Sequence, residues 1–342
     1  MGVMCFAQDQ NEDLSDGVQK IILKISTVEA VGTRTQKTWN PPDAPMALQE
    51  LPYTEQDMAK ATPEEARRMS RENHERRIAN QNAQANISMR AFRDASEHYE
   101  GVKKQLEGTT FGRQIILAVD KFAGMAGEYF DPDCIEFFHR MDMDEGDKES
   151  YLKDMMPADL VSAPYFLKLV FDDPRIETGM VRMNGQEIKM TKMTQTVSYS
   201  VQALSGKIIT SGNVKKEIKF RSTNAIAESG TEENRIIDLM EESLAEVARR
   251  INKFFVAKVS VKLTGPKNDD DFDPESAVIE VDGTQYDAEE EFTVIKGQHT
   301  IIVDMDGFKQ KGSTQVNVKK DGAIKISLKK VKVAQEETDN AE

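Results

Sequence analysis

The chain has 342 residues, 59 acidic side chains against 45 basic ones and a net charge of −14 at pH 7. That balance excludes nucleic acid as a natural partner, because phosphate-backbone binding depends on cations that release counterions. Its two cysteines, Cys5 and Cys134, are too few for a disulfide framework and lack the CxxC spacing that holds zinc. No apolar run reaches the roughly eighteen residues that a membrane-spanning helix needs. The length predicts two domains, each able to bury its own core.

Residues 1–17 read as a flexible N-terminus. Within it Cys5-Phe6-Ala7 has the small-x-small pattern that signal peptidase favours, followed by a polar stretch, so the segment is either a frayed end or the remnant of an export signal. Residues 18–31 alternate, with Ile21, Leu23, Ile25 and Thr27 on one side, and predict a first strand. Asn40-Pro41-Pro42-Asp43-Ala44-Pro45 and Pro52 stop regular structure. Thr62-Pro63-Glu64-Glu65 is a capping box with proline at the first helical position, so a helix starts there. The first half of that helix is a mixed-sign charged run, a solvated face. On residues 83–107, Ala85, Phe92, Ala95, Tyr99, Val102 and Leu106 form one apolar stripe. The stripe faces either the core of this chain or a partner, which makes Phe92, Tyr99, Val102 and Leu106 the candidate partner-binding residues.

Farther along, the pattern predicts a helix over 111–130, a strand near 134–139, a short helix over 147–156 and a strand through Tyr165, Leu167, Leu169 and Phe171. Val197, Tyr199, Val201 and Ala203 alternate into a turn at Ser205-Gly206, followed by strands at 207–210 and 213–221. A long amphipathic helix at 233–255 carries Ile237, Met240, Leu244, Val247, Ile251 and Phe254, and a strand at 256–263 follows. The expected fold is α+β: a mixed sheet with packed helices over 18–263, with a helical insertion at 35–110, then a small all-β sandwich over 276–333. An acidic linker at 264–275 separates them, and 334–342 reads as a disordered tail.

Few motifs carry chemistry. His74, His98, His139 and His299 are far apart and none has a metal-binding spacing. No GxSxG elbow is present, and Gly206-Lys207 imitates the end of a phosphate loop while Val201 and Ile208 occupy the positions that such a loop needs as Gly and Ser or Thr. The cluster Asp142-Met143-Asp144-Glu145-Gly146-Asp147 breaks the helix-loop-helix calcium pattern, and Asp269 to Asp273 reads as a solvated linker rather than a calcium loop. Asn86-Ile87-Ser88 is a glycosylation sequon placed on a predicted helix. No cofactor and no catalytic residue is predicted.

Ala277-Val278-Ile279-Glu280-Val281-Asp282-Gly283, then Lys296-Gly297-Gln298-His299-Thr300-Ile301 and Asp306-Gly307-Phe308, resemble the PEGA domain over about 276–330. Asp287-Ala288-Glu289-Glu290-Glu291 stands where that family carries its proline-glycine-alanine signature. Ala158-Asp159-Leu160, Tyr199-Ser200-Val201, Ser205-Gly206-Lys207-Ile208-Ile209-Thr210 and the helix ending at Phe255 resemble the curli-secretion lipoproteins and the lipoprotein activators of penicillin-binding proteins. These resemblances imply a bacterial, exported, periplasmic or extracellular and membrane-associated protein, with a cytoplasmic location as the alternative. They also imply a non-catalytic envelope binding or assembly protein that contacts peptidoglycan-synthesis or secretion machinery. A self-assembling soluble scaffold or ring and a glycan-active enzyme are the alternatives, and peptidoglycan or another glycan is a further candidate ligand.

Overall fold

The computed structural model describes residues 20–31, 39–41, 50–138, 150, 162–183, 186–221, 225–266, 271–288, 290–312 and 314–331. The readings of residues 1–17, of Pro42 and Pro45, of the acidic cluster at 142–147, of the helix at 147–156 apart from Ser150 and of the tail at 334–342 lie outside those residues. The chain divides into a unit of Lys20–Phe254 and a unit that begins at Phe255.

In the first unit, β1 (Lys20–Ala30) pairs parallel with β2 (Ile135–Phe138) on one side and β3 (Ser162–Phe171) on the other. Ile21, Ile22, Leu23 and Ile25 are all fully buried, so β1 is covered on both faces, as parallel central strands are. β3 pairs antiparallel with the second half of β5 (Gln186–Ala203), from Phe171 opposite Val197 to Tyr165 opposite Ala203. The first half of β5 pairs with β4 (Arg175–Met183), which continues in line after Asp172-Asp173-Pro174. Gln195 ties the break: its Nε2 donates to the carbonyls of Asp172 at 2.8 Å and Thr196 at 3.1 Å. β6 (Ile208–Arg221) runs back along the opposite edge of β5 from the Gly206 turn, where φ is +80°. The sheet therefore has six strands, and β5, about 60 Å long at the usual strand rise, pairs with three of them, β3, β4 and β6.

The ring of Tyr199 lies over Gly212, its direct cross-strand partner, and a Cβ at that position would meet it at 3.1 Å. Glycine at this rung lets the aromatic ring lie flat across β6.

The helices form a layer on each face. α1 (Glu55–Lys60) is capped by Thr54, and α2 (Pro63–Leu106) by the predicted box, in which Thr62 Oγ1 accepts from Glu65 N at 3.4 Å and Glu65 Oε2 accepts from Thr62 N at 3.0 Å. At 44 residues α2 extends about 66 Å. Its second half lies on the sheet: Ala91, Phe92 and Ala95 pack with Ile22, Phe138 and Phe166, and the Phe92 ring sits 5.4 Å from Phe166 and 5.7 Å from Phe138. Residues 35–110, expected as an insertion, thus supply one layer of the domain through α2. α3 (Thr110–Gly124) starts at the Thr109 cap, and the backbone approach is so close there that a Cβ on Gly112 would fall 2.0 Å from the Leu106 carbonyl. After the short α4 (Ala126–Tyr129), Phe137 points away from Phe138 and meets Phe122 of α3 at 5.4 Å. α5 (Ala225–Phe255) shares that second face, joined to α3 by Lys121 and Glu241 and to β6 by Arg250, which donates to the Asn213 carbonyl at 2.9 Å. Its Met240, Leu244, Val247 and Ile251 are fully buried, as the stripe predicts, whereas at the ends of the stripe Ile236 and Phe255 are buried and the expected Ile237 and Phe254 are half-buried.

The second unit is a pair of four-stranded sheets around one core. One sheet holds β7 (Val256–Thr264), β10 (Glu291–Ile295), β12 (Phe308–Gln310) and β14 (Gly322–Lys330). The other holds β8 (Val278–Val281), β9 (Thr284–Asp287), β11 (Gly297–Asp304) and β13 (Gln315–Val318). β7, expected as the last strand of the first domain, is hydrogen-bonded between β10 and β14, and Ala257, Val259 and Val261 fill the second core. Alternation identifies a strand but not its partners. The expected linker is also partly built in. Phe272 packs edge-on against Phe308 at 5.4 Å, Asp271 pairs with Lys330 at 2.7 Å, and Asp273 caps a short 3-10 turn, Pro274–Ser276.

The β8–β9 hairpin turns through Asp282 at φ +49° and Gly283 at φ +89°, the two left-handed positions of a type I′ turn. The Asp282 side chain fastens this turn to β11: Oδ1 accepts from Thr300 N at 2.8 Å and Oδ2 meets His299 Nδ1 at 2.6 Å. His299 is buried, and its Nε2 faces the Ile295 carbonyl. Burial pushes the Asp282 carboxyl up, but the hydrogen bonds from His299 and the Thr300 N–H outweigh it and hold the group below the usual aspartate range.

Two outcomes follow. Phe92→Ala should cost about 3–5 kcal/mol in denaturant unfolding, independently of protein concentration, since the ring fills this chain's own core. Because the Asp282 pKa is depressed by folding, its contribution is complete above the unfolded value of about 3.9 and fades as pH falls through the lower folded value. Calorimetry between about pH 2 and pH 6 should therefore show an acid loss of stability in the second unit that Asp282→Asn flattens, asparagine being tolerant of the left-handed turn.

Candidate binding surface on the three-stranded arm

β4, the first half of β5 and the second half of β6 form an arm beyond the part of the sheet that β1 and β3 occupy. β5 pairs with β4 over Gln186–Thr194 and with β6 over Met190–Gln202, and the root of the arm is fixed by Val197, Tyr199 and Val201, which are buried in the core. On one face Arg235 of α5 lies over the Phe220 ring at 3.7 Å, so β6 is partly covered there. β4 is not: every residue from Arg175 to Arg182 is exposed, on both faces of the strand. Ile176, Met180 and Val181 are 47%, 62% and 46% exposed, an apolar set on a strand edge that, among the described residues, pairs with β5 alone.

The charge of the arm opposes that of the chain. Over Arg175–Met183, Gln186–Thr194 and Ile208–Arg221 there are eight Lys and Arg and three Glu, a local surplus of five positive charges on a protein of net charge −14. On the face away from α5, a concavity of about 460 Å³ is lined by Glu177, Val181, Met190, Lys192 and Lys219 among others. Glu217 beside it is held below the usual carboxylate range by the hydrogen bond from Lys192, at 3.1 Å, and by the charges of Lys192, Lys219 and Lys215. The surface combines a strand edge, exposed apolar side chains and a positive field, which suits binding rather than bond making.

The residues singled out from sequence lie elsewhere. Phe92, Tyr99, Val102 and Leu106 are at most 2% exposed, so the stripe takes its core-facing alternative and offers a partner nothing. His299 belongs to the hairpin clamp; His98 is half-buried on α2, its pKa lowered by burial, and His74 is exposed on α2. His139 lies outside the described residues. Cys134 is buried, which pushes its thiol up to about 12, with Asp131 and Asp133 adding to the rise, so it is no nucleophile. Gly206-Lys207 is the β5–β6 turn, Ser88 of the sequon is buried on α2, and no three His, Cys, Asp or Glu side chains gather for a metal among the described residues.

Sequence reading found the arm's part of β6, at 213–221, but missed β4 and the first half of β5, because β4, exposed on both faces, has no apolar alternation to detect. The available signal was Asn184-Gly185 between Met183 and Gln186, the dipeptide most typical of a two-residue hairpin.

No protein-family model matches the chain, and no curated protein does. Among solved structures, a minor lipoprotein from Acinetobacter baumannii aligns over 30% of this chain and 81% of its own, at 15% identity and a TM-score of 0.21. A lipoprotein from Caulobacter crescentus aligns over 30% of this chain and 73% of its own, at 17% identity and a TM-score of 0.18. A Helicobacter pylori homologue of neuraminyllactose-binding hemagglutinin aligns over 70% of this chain and 88% of its own, at 9% identity and a TM-score of 0.23. At such scores the similarity transfers no activity or partner to this chain.

Since β4 is exposed throughout, the double variant Arg175→Glu, Arg182→Glu should unfold within about 1 kcal/mol of wild type, whatever it does to binding. In a Cys5→Ser background, the Cys134 thiol should react with a disulfide reagent only as fast as the first unit opens, and at full rate in denaturant.

Proposed function

We propose that the protein is a non-catalytic binding component of the bacterial cell envelope and that the arm is its contact surface. The observation that carries this reading is a strand exposed from Arg175 to Arg182, bearing the apolar Ile176, Met180 and Val181, on a cationic arm of an otherwise acidic protein. Surfaces of this kind are costly to leave in solvent, because an open edge templates unwanted pairing, and they persist where a partner covers them. The envelope assignment rests on the resemblance of residues 133–262 to lipoproteins of curli secretion and of peptidoglycan synthesis, and of 276–330 to the PEGA domain. In this reading the second unit is a docking or spacer module, and the protein acts outside the cytoplasm beside peptidoglycan-synthesis or secretion machinery.

Self-assembly through the arm is the weaker reading, since pairing two arms would bring two positive surpluses together. A glycan-active enzyme would need two carboxylates converging on one pocket with opposed shifts. The concavity on the arm is lined by a single carboxylate, Glu177.

A photoreactive amino acid placed at Met180 in the native host, with Leu117 as the exposed control on α3, tests the proposal. Crosslinks at Met180 to an envelope protein, absent at Leu117 and lost in the Arg175→Glu, Arg182→Glu background, are expected. A cytosolic partner, or equal crosslinking at both positions, would overturn it, and peptides of this chain alone would establish the scaffold instead.

A further inference from the structure

We infer that β4 accepts an additional strand from an acidic, extended segment of another protein, with alternating apolar and carboxylate side chains. This rests on reading the arm as the contact surface and names the chemistry of what it contacts.

Three observations converge on it. β4 runs nine residues, about 30 Å, and every second residue of an edge strand turns both its N–H and C=O outward, so the edge offers a ladder rather than a single contact. Ile176 and Met180 stand on one face and Val181 on the other, at the period-two spacing that an incoming strand's own alternate side chains would meet. Arg175 and Arg182 lie near the two ends of β4 and Lys189 stands beside its middle, opposite Met180, so with Lys192 the four cations outnumber Glu177 and Glu187 along the edge that carboxylates of the new strand would meet. Gly179 at the middle leaves open space where a Cβ would stand, which allows a close backbone approach.

Charge selects among the occupants. A second copy pairing β4 to β4 would set two surpluses of five positive charges against each other within a Debye length of about 8 Å. An anionic bilayer would satisfy the charge, but it would leave the outward N–H and C=O ladder unpaired in the region where unpaired backbone is most costly. An acidic strand satisfies charge, apolar side chains and backbone together.

The test uses the full chain and fluorescent nonapeptides. An alternating Val–Glu peptide should bind, protect β4 amides from hydrogen exchange and weaken at least tenfold between low and physiological salt. Arg175→Glu, Arg182→Glu should weaken it at least tenfold, and N-methylation of alternate residues along one edge of the peptide should abolish binding. The inference is overturned if a Val–Lys peptide binds equally well or if N-methylation has no effect. It also falls if phosphatidylglycerol vesicles bind the arm while the peptides do not, or if sedimentation shows dimers in which the β4 amides are protected from hydrogen exchange. A Met180 crosslink to an envelope protein combined with failure of the Val–Glu peptide would remove this inference and leave the proposed function standing.

Discussion

One strand carries two tasks in this molecule. β5 is core over its second half, where Val197, Tyr199 and Val201 are buried, and arm over its first, where it is the middle rung between β4 and β6. Because hydrogen bonding to β6 continues through both halves with one irregularity near Gln202, the arm inherits its rigidity from the core. A flexible loop carrying the same side chains would lose rotational and chain entropy on every encounter, whereas a preformed ribbon has already lost it during folding. The exposure of β4 is tolerable for the same reason: a ladder in which all nine of its residues are in register with β5 holds it, while no other strand pairs with it among the described residues.

The second unit solves a different problem, that of holding short strands in register. Asp282 and His299, 17 residues apart, are brought together by the β8–β11 pairing, and the carboxylate joins a tight turn to the strand beside it. The opening of a type I′ hairpin would expose a buried imidazole and strand a carboxylate, so the turn and the strand separate together or not at all. Short strands such as β8 and β9, four residues each, need this kind of anchor because their ladders alone are marginal.

Elements with one wet and one dry face were legible in the sequence. The capping box at Thr62, the stripe through Phe92 and Leu106, and the helix through Met240 and Ile251 all follow from a 3.6-residue period. What failed was anything decided at a distance. β7 alternates correctly, but its partners β10 and β14 are contributed by residues far along the chain. The acidic run before Ala277 reads as solvated until Phe272 finds Phe308. The candidate surface was the least legible, because a strand exposed on both faces has no hydrophobic periodicity, and its charge surplus appears only when β4, β5 and β6 are placed side by side. Phe92, Tyr99, Val102 and Leu106 were legible as a stripe, while the sequence could not say that Ile22, Phe138 and Phe166 pack against Phe92.

The contact of Tyr199 with Gly212 carries a consequence for how the arm can vary. A slip of one residue between β5 and β6 would place Ser211 or Asn213 under the ring, where a side chain has no room. The rung therefore acts as a fixed origin from which the ribbon is measured. Since side chains alternate between faces with a period of two, an insertion or deletion beyond that origin preserves the two faces only when it adds or removes residues in pairs on neighbouring strands. The reach of the arm is quantised, in steps of about 7 Å.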